Sequence, residues 1–209
     1  MARGRLTRHE IEIKLRIADL TALIAQLRSI GAAFRGRVLE QNTLYDTPDF
    51  AFRRCGRLLR LRVETSAPAA ARPAGPSRVV LTSKAPPPAP TAPRSSPYTY
   101  RRYKDRLESE LTVRDASHWS ATLRSLGFRP SFRYEKFRST YGLPGLHLDL
   151  DETPVGVFLE LEGMPRAIDR AARALGFSPR DYIRGTYWDL YAAECRRRGV
   201  IPKNMLLHA

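Results

Sequence analysis

Residues 10–16 read Glu10-Ile11-Glu12-Ile13-Lys14-Leu15-Arg16, with charged and apolar side chains in strict alternation. On a β-strand, side chains two apart face the same side, so Glu10, Glu12, Lys14 and Arg16 form one face and Ile11, Ile13 and Leu15 the other. The same sorting recurs along the chain. Arg60 and Arg62 oppose Leu59, Leu61 and Val63, while Arg106, Glu108 and Glu110 oppose Leu107, Leu111 and Val113. Lys136 shares a face with Arg138. Asp149 and Asp151 lie opposite Leu148 and Leu150, and Glu160 and Glu162 lie opposite Leu159 and Leu161. Lys84 closes a short strand over 78–84.

One such strand ordinarily belongs to a sheet whose charged face meets water. Seven or eight of them require a different arrangement, because the chain also carries amphipathic helices that need the apolar faces as a packing surface. Three times a strand bearing Glu-x-Glu leads into a helix that ends at glycine: Asp19 caps the first before Gly31, Asp115 caps the second before Gly127, and a third over 167–175 precedes Gly176. With helices covering the apolar side, the charged faces converge. A sheet of this size curls or closes, and about eight strands leave room inside for side chains and one small ligand. The expected fold is therefore α+β: an eight-stranded antiparallel β-barrel with a charged interior and helices packed outside.

At 209 residues and 43% hydrophobic content, the chain suits one domain spanning 1–209. Two Ala/Pro-rich stretches, near 66–77 and 85–97, read as mobile loops inserted within it. No apolar run reaches the roughly 18 residues a membrane helix needs, and residues 1–10 lack a signal-peptide core, so a soluble cytoplasmic protein with no membrane partner is expected. Cys55 and Cys195 read as packing residues, without disulfide or zinc spacing. The formal charge of +15 attracts polyanions, although Arg101-Arg102 and Arg196-Arg197-Arg198 read as solvated surface.

Buried charge is costly unless paired or neutralised by a ligand, so the lumen's content predicts what it binds. The carboxylates Glu10, Glu12, Glu108, Glu110, Asp151, Glu160 and Glu162 suit hard divalent cations such as Mg²⁺ or Mn²⁺. The bases Lys14, Arg60, Arg62, Lys84, Arg106, Lys136 and Arg138 suit phosphate oxygens. A metal with a polyphosphate satisfies both sets.

These residues resemble the CYTH domain, or triphosphate tunnel metalloenzymes, a family that includes class IV adenylyl cyclases and thiamine triphosphatases. The resemblance begins at Glu10-x-Glu12-x-Lys14 and runs through Gln41-Asn42-Thr43-Leu44-Tyr45-Asp46-Thr47-Pro48-Asp49, Gly56 with Leu58 to Arg62, and Leu81-Thr82-Ser83-Lys84. It continues through Arg106-x-Glu108-x-Glu110, Lys136 and Arg138, Leu150-Asp151-Glu152 with Gly156, and Phe158-Leu159-Glu160-Leu161-Glu162. Tyr182 and Thr186-Tyr187-Trp188-Asp189-Leu190 end it, for a core of about 9–191. The resemblance implies an eight-stranded tunnel, metal carried by Glu10, Glu12, Glu160 and Glu162 with Asp151, and phosphates held by the paired bases. A homodimer is compatible with it.

Two reactions then compete. Hydrolysis of a nucleoside, thiamine or inorganic triphosphate comes first because it asks less of the site. In it, Lys14, Arg60, Arg62, Lys84, Arg106, Lys136 and Arg138 bind phosphate, and Glu108 or Glu110 orients the water. Cyclisation of ATP to cyclic AMP and pyrophosphate uses the same metal and bases. A binding module for RNA or polyphosphate is the third reading, disfavoured because the bases alternate with acids on shared strand faces. The histidines, His9, His118, His147 and His208, lie apart with no nucleophile motif.

Overall fold

The computed structural model describes residues 4–66, 78–88 and 102–207, so both Ala/Pro-rich stretches lie almost wholly outside the described residues. Eight strands form the barrel: β1 (Gly4–Ile17), β2 (Ala33–Asp46), β3 (Leu58–Ser66), β4 (Arg78–Ala85), β5 (Lys104–Val113), β6 (Arg129–Leu143), β7 (Leu146–Thr153) and β8 (Gly156–Gly163). They close in the order β1-β5-β4-β3-β2-β6-β7-β8, and every neighbouring pair is antiparallel. The expected α+β barrel is present. Two strands are much longer than the alternation shows: β2, which it does not pick out, and β6, of which it marks only Lys136 and Arg138.

The helices are α1 (Leu20–Ser29), α2 (Ala51–Arg54), α3 (Ala116–Ser125), α4 (Pro165–Ala174) and α5 (Tyr187–Arg198). Asp19 accepts the Ala22 amide, and Asp115 accepts those of Ser117 and His118, so both caps occur where expected. The third helix of the repeat starts two residues earlier than expected, because Pro165 opens it at a position that needs no amide donor. Beyond each of these helices a glycine takes positive φ, with values of 77°, 91° and 84° at Gly31, Gly127 and Gly176, which lets the chain turn back to the sheet.

The helices divide the apolar exterior. Leu23 and Leu27 of α1 and Ile168, Ala171 and Ala172 of α4 pack on Ile13, Leu15, Leu148, Leu159 and Leu161. Leu123 of α3, with Trp119, packs on Leu61, Val79 and Val113. No described helix is long and apolar enough to cross a membrane. Cys195 is buried as expected, but Cys55 is exposed beyond the short α2 and is not a packing residue.

The C-terminal segment fills two seams in the barrel. The β1–β5 ladder ends at Glu12 opposite Lys104, and beyond it Lys14 exchanges both backbone hydrogen bonds with Ile183, at 3.0 and 2.9 Å. On the other side, β6 pairs with β7 only from Phe137 onward. Its earlier edge is taken by Met205, bonded to the backbone of Arg133 and Glu135. A third apolar cluster of Phe132, Tyr134, Phe158, Tyr187 and Met205 gathers beside these seams, with Trp188 and Tyr191 packed on it.

Candidate active site

The period-two faces point into a cavity of about 780 Å³, large enough for one small ligand. Every predicted binding or catalytic residue except Asp151 lines it: Glu10, Glu12 and Lys14 from β1, Arg60 and Arg62 from β3, Lys84 from β4. The others are Arg106, Glu108 and Glu110 from β5, Lys136 and Arg138 from β6, and Glu160 and Glu162 from β8. Asp151 is fully buried behind that wall, where it accepts from Lys136 at 2.7 Å, Arg138 at 2.5 and 2.7 Å and the Tyr187 hydroxyl at 2.5 Å. Asp149 lines the cavity and pairs with Arg138 at 2.7 Å. In this arrangement Asp151 anchors the bases and Asp149 is the β7 carboxylate that faces the ligand space.

Several lumen residues escaped the sequence reading. Arg8 continues the β1 face and pairs with Glu108 at 2.7 Å and with Glu162. Lys104 lies one step before Arg106 on β5 and donates to Glu12 at 2.6 Å. Glu40 on β2 pairs with Arg62 at 2.9 Å and lies 3.5 and 3.6 Å from Lys136 and Arg138. His147 also lines the cavity, 3.1 Å from Asp149, which holds its imidazole above the usual range. Arg16 moves the other way: it is exposed, with its guanidinium 4.7 Å above the Phe158 ring and donating to the Val155 carbonyl.

The lumen neutralises itself with these pairs. Lys14 lies 2.8 Å from Glu160 and 3.3 Å from Glu12, and Lys84 lies 2.5 Å from Glu10 and 3.0 Å from Glu108. Two bases stand outside this balance. Arg106 makes no ion pair among the described residues. Arg60 reaches only Thr82 at 3.2 Å, Tyr134 at 3.4 Å and Glu110 at 3.8 Å, and its Nε is a buried donor with no partner. In the ring of eight strands β3 stands four places from β8, so Arg60 and Arg62 look across the lumen toward Glu160 and Glu162.

The carboxylates suit a hard cation in kind but are not gathered for one in advance. No three carboxylate, imidazole or thiol groups converge at metal-binding distance among the described residues. Glu12 and Glu162 are nonetheless direct cross-strand partners, an arrangement of like charges that is unfavourable without a cation between them. Burial, and then the charge of Glu10, pushes the Glu162 carboxyl up. In donor type the set fits Mg²⁺ or Mn²⁺: Glu10, Glu12, Glu160 and Glu162 would hold it, with Asp149 at the cavity wall and the expected Asp151 behind it.

At Glu12, Glu40 and Glu160 burial alone would raise the carboxyl, but cations outweigh it: Lys104 and Lys14 hold Glu12 low, Arg62 and Lys136 hold Glu40 low, and Lys14 and Arg138 hold Glu160 low. Below about pH 4.5, their unfolded value, the unfolded chain then takes up protons that the folded chain refuses, so stability present at neutral pH is lost as the pH falls. Glu162 and Asp151, both pushed up chiefly by burial, work in the opposite sense and offset part of this. The urea midpoint is expected to rise slightly from pH 7 to 5, as the raised His147 takes up its proton, and to fall steeply from 4.5 to 3. Glu40→Gln makes that fall shallower, and an unchanged slope would show that the Glu40 pairs do not stabilise the barrel.

Comparison with known proteins agrees with this architecture. Residues 8–187 match the profile of the CYTH domain. A Methanocaldococcus jannaschii protein, provisionally named an adenylate cyclase, is 24% identical over 192 residues, covering 87% of this chain and 97% of the relative. A solved Pyrococcus horikoshii structure superposes with a TM-score of 0.69 at 23% identity, covering 88% of this chain and 99% of that one. A Hippeastrum structure, described as a proposed adenylyl cyclase that reveals a dominant triphosphatase activity, gives 0.54 at 18% identity, covering 92% and 97%. With the family profile spanning all eight strands, the chain belongs to the CYTH domain family.

Proposed function

We propose that this chain is a divalent-metal-dependent triphosphatase that binds its substrate within the barrel lumen. The observation that carries the reading is Arg60: a buried guanidinium with an unpartnered Nε, facing a carboxylate wall, is a donor held ready for an anionic oxygen. A triphosphate with its cation satisfies the lumen better than the present ion pairs do, because the bases turn to phosphate oxygens and the carboxylates to the metal.

In this reading Arg60, Arg62, Arg106, Lys136 and Arg138 hold and orient the phosphates, with Lys14 and Lys84 released to them from Glu160 and Glu10. A bound Mg²⁺ or Mn²⁺ supplies charge neutralisation at phosphate oxygens and a more acidic water. Glu110 is the better placed of the two candidate carboxylates for orienting a water. Glu108 is held by Lys84 and Arg8, whereas Glu110 is more open to the cavity and, among the described side chains, touches only Thr82 at 3.1 Å and Arg60. Protein hydroxyls and guanidinium groups line much of the remaining wall, so negative charge developing on the transferred phosphoryl group meets fixed donors.

The names of the relatives favour one second reading, adenylyl cyclisation, which uses the same wall. Purified protein incubated with ATP, inorganic triphosphate or thiamine triphosphate separates the two. Orthophosphate with a diphosphate is expected in Mg²⁺ or Mn²⁺, falling to background in EDTA. Cyclic AMP with pyrophosphate would establish the cyclase instead. Turnover that persists in EDTA, or no turnover of any of the three, would remove the proposal.

A further inference from the structure

Outside the lumen, one carboxylate collects two phenols, one buried and one half-buried. Asp169, on the outer helix α4, accepts the Tyr103 hydroxyl at 2.7 Å and the Tyr182 hydroxyl at 2.9 Å, both on Oδ1. The two rings lie tilted together, 6.2 Å apart, and Tyr103 is 4% exposed. Burial and the bond to Asp169 raise both phenols above their usual range, so they stay donors.

The two tyrosines sit at the point where β1 changes partners. Tyr103 immediately precedes Lys104, the last β5 residue paired to β1, whose ammonium donates to Glu12 at 2.6 Å. Tyr182 immediately precedes Ile183, which takes over the β1 edge through both backbone bonds to Lys14. Glu12 and Lys14 lie on β1, and the two segments that take its edge in turn, one carrying Lys104 and the other Ile183, are tied together by a single Asp169 oxygen. Resting on the triphosphatase reading, we infer that Asp169 is a positioning residue, which fixes Lys14 and Lys104 on either side of Glu12 and so sets the phosphate affinity of that wall. A displacement of about 1 Å at such a group is enough to cost an enzyme up to ~100-fold, so a remote tie of this kind has a measurable consequence.

The test is calorimetric binding of inorganic triphosphate in EDTA, where no turnover occurs, measured well below the melting temperature of each variant. Asp169→Asn is expected to weaken binding by about 10-fold, and Tyr103→Phe and Tyr182→Phe, which each delete one hydroxyl, by about 3-fold. On a Lys104→Met background the effect of Asp169→Asn shrinks, because the group it positions is gone. A purely structural tie would lower the melting temperature of all three variants and leave the affinity unchanged, and that result overturns the inference while the wild type still binds. If the wild-type protein binds no triphosphate in EDTA yet turns it over with Mg²⁺ or Mn²⁺, the positioning role falls alone; if it neither binds nor turns over triphosphate, the lumen reading fails as well.

Discussion

Glu12→Gln lowers metal-dependent turnover by ~10³-fold, about 4 kcal/mol of activation barrier, while the far-ultraviolet circular dichroism keeps its shape. Glu12 stands at the crowded point of the carboxylate wall. It is the cross-strand partner of Glu162, follows Glu10 on the same face, and is 5% exposed. The amide keeps the shape and one acceptor but removes the charge that a cation needs, so substrate binding is retained better than turnover. The substitution also leaves Lys104 and Lys14 facing a neutral group, a cost of about 1–3 kcal/mol that lowers the melting temperature without unfolding the barrel. Glu194→Gln, which removes an exposed pair on α5, serves as the control and keeps wild-type turnover. If Glu12→Gln retains more than a tenth of the activity, Glu12 holds no essential cation.

How far the site was legible depends on how pure each strand's face is. On β1, β5 and β8 consecutive inward positions are charged, so the alternation stands out. On β2 the inward set is Val38, Glu40, Asn42 and Leu44, and on β6 it includes Phe132 and Tyr134 beside Lys136 and Arg138. A mixed face has no hydropathy period, which is why Glu40, paired with Arg62 and close to Lys136 and Arg138, went unseen. Arg8 and Lys104 needed only a continuation of the same period by two residues. Tyr187 enters through the family resemblance and through no period, because a residue opening a helix reaches Asp151 only through the path of the chain across the barrel seam. Period two also overreached: it placed Arg16 inside, yet β1 ends there and the guanidinium turns out to the rim. Nor does it resolve depth, so Asp149 and Asp151 share a face although only the first meets the cavity.

The same substitution at two lumen arginines separates a side chain kept for function from one kept for structure. Arg60→Met is expected to raise the KM for inorganic triphosphate by ~100-fold, about 2.7 kcal/mol, with stability unchanged or higher. The native guanidinium is buried with one donor unsatisfied and its other contacts at 3.2 Å or longer, so an apolar chain of similar length loses little and removes an uncompensated polar group. Arg138→Met also weakens substrate binding, but it removes one close partner from each of Asp149, Asp151 and Glu160, all within 2.7 Å, and leaves Asp151 to Lys136 and Tyr187, Glu160 to Lys14 and Asp149 to His147 and Thr140. Removing one partner from buried ion pairs costs about 3–5 kcal/mol, enough to be read directly in a denaturant midpoint. The pair of variants therefore diverges in stability while converging in lost affinity. Equal destabilisation by both would mean that Arg60 is held by interactions as strong as those of Arg138, and its Nε would no longer point to a phosphate oxygen as the missing partner.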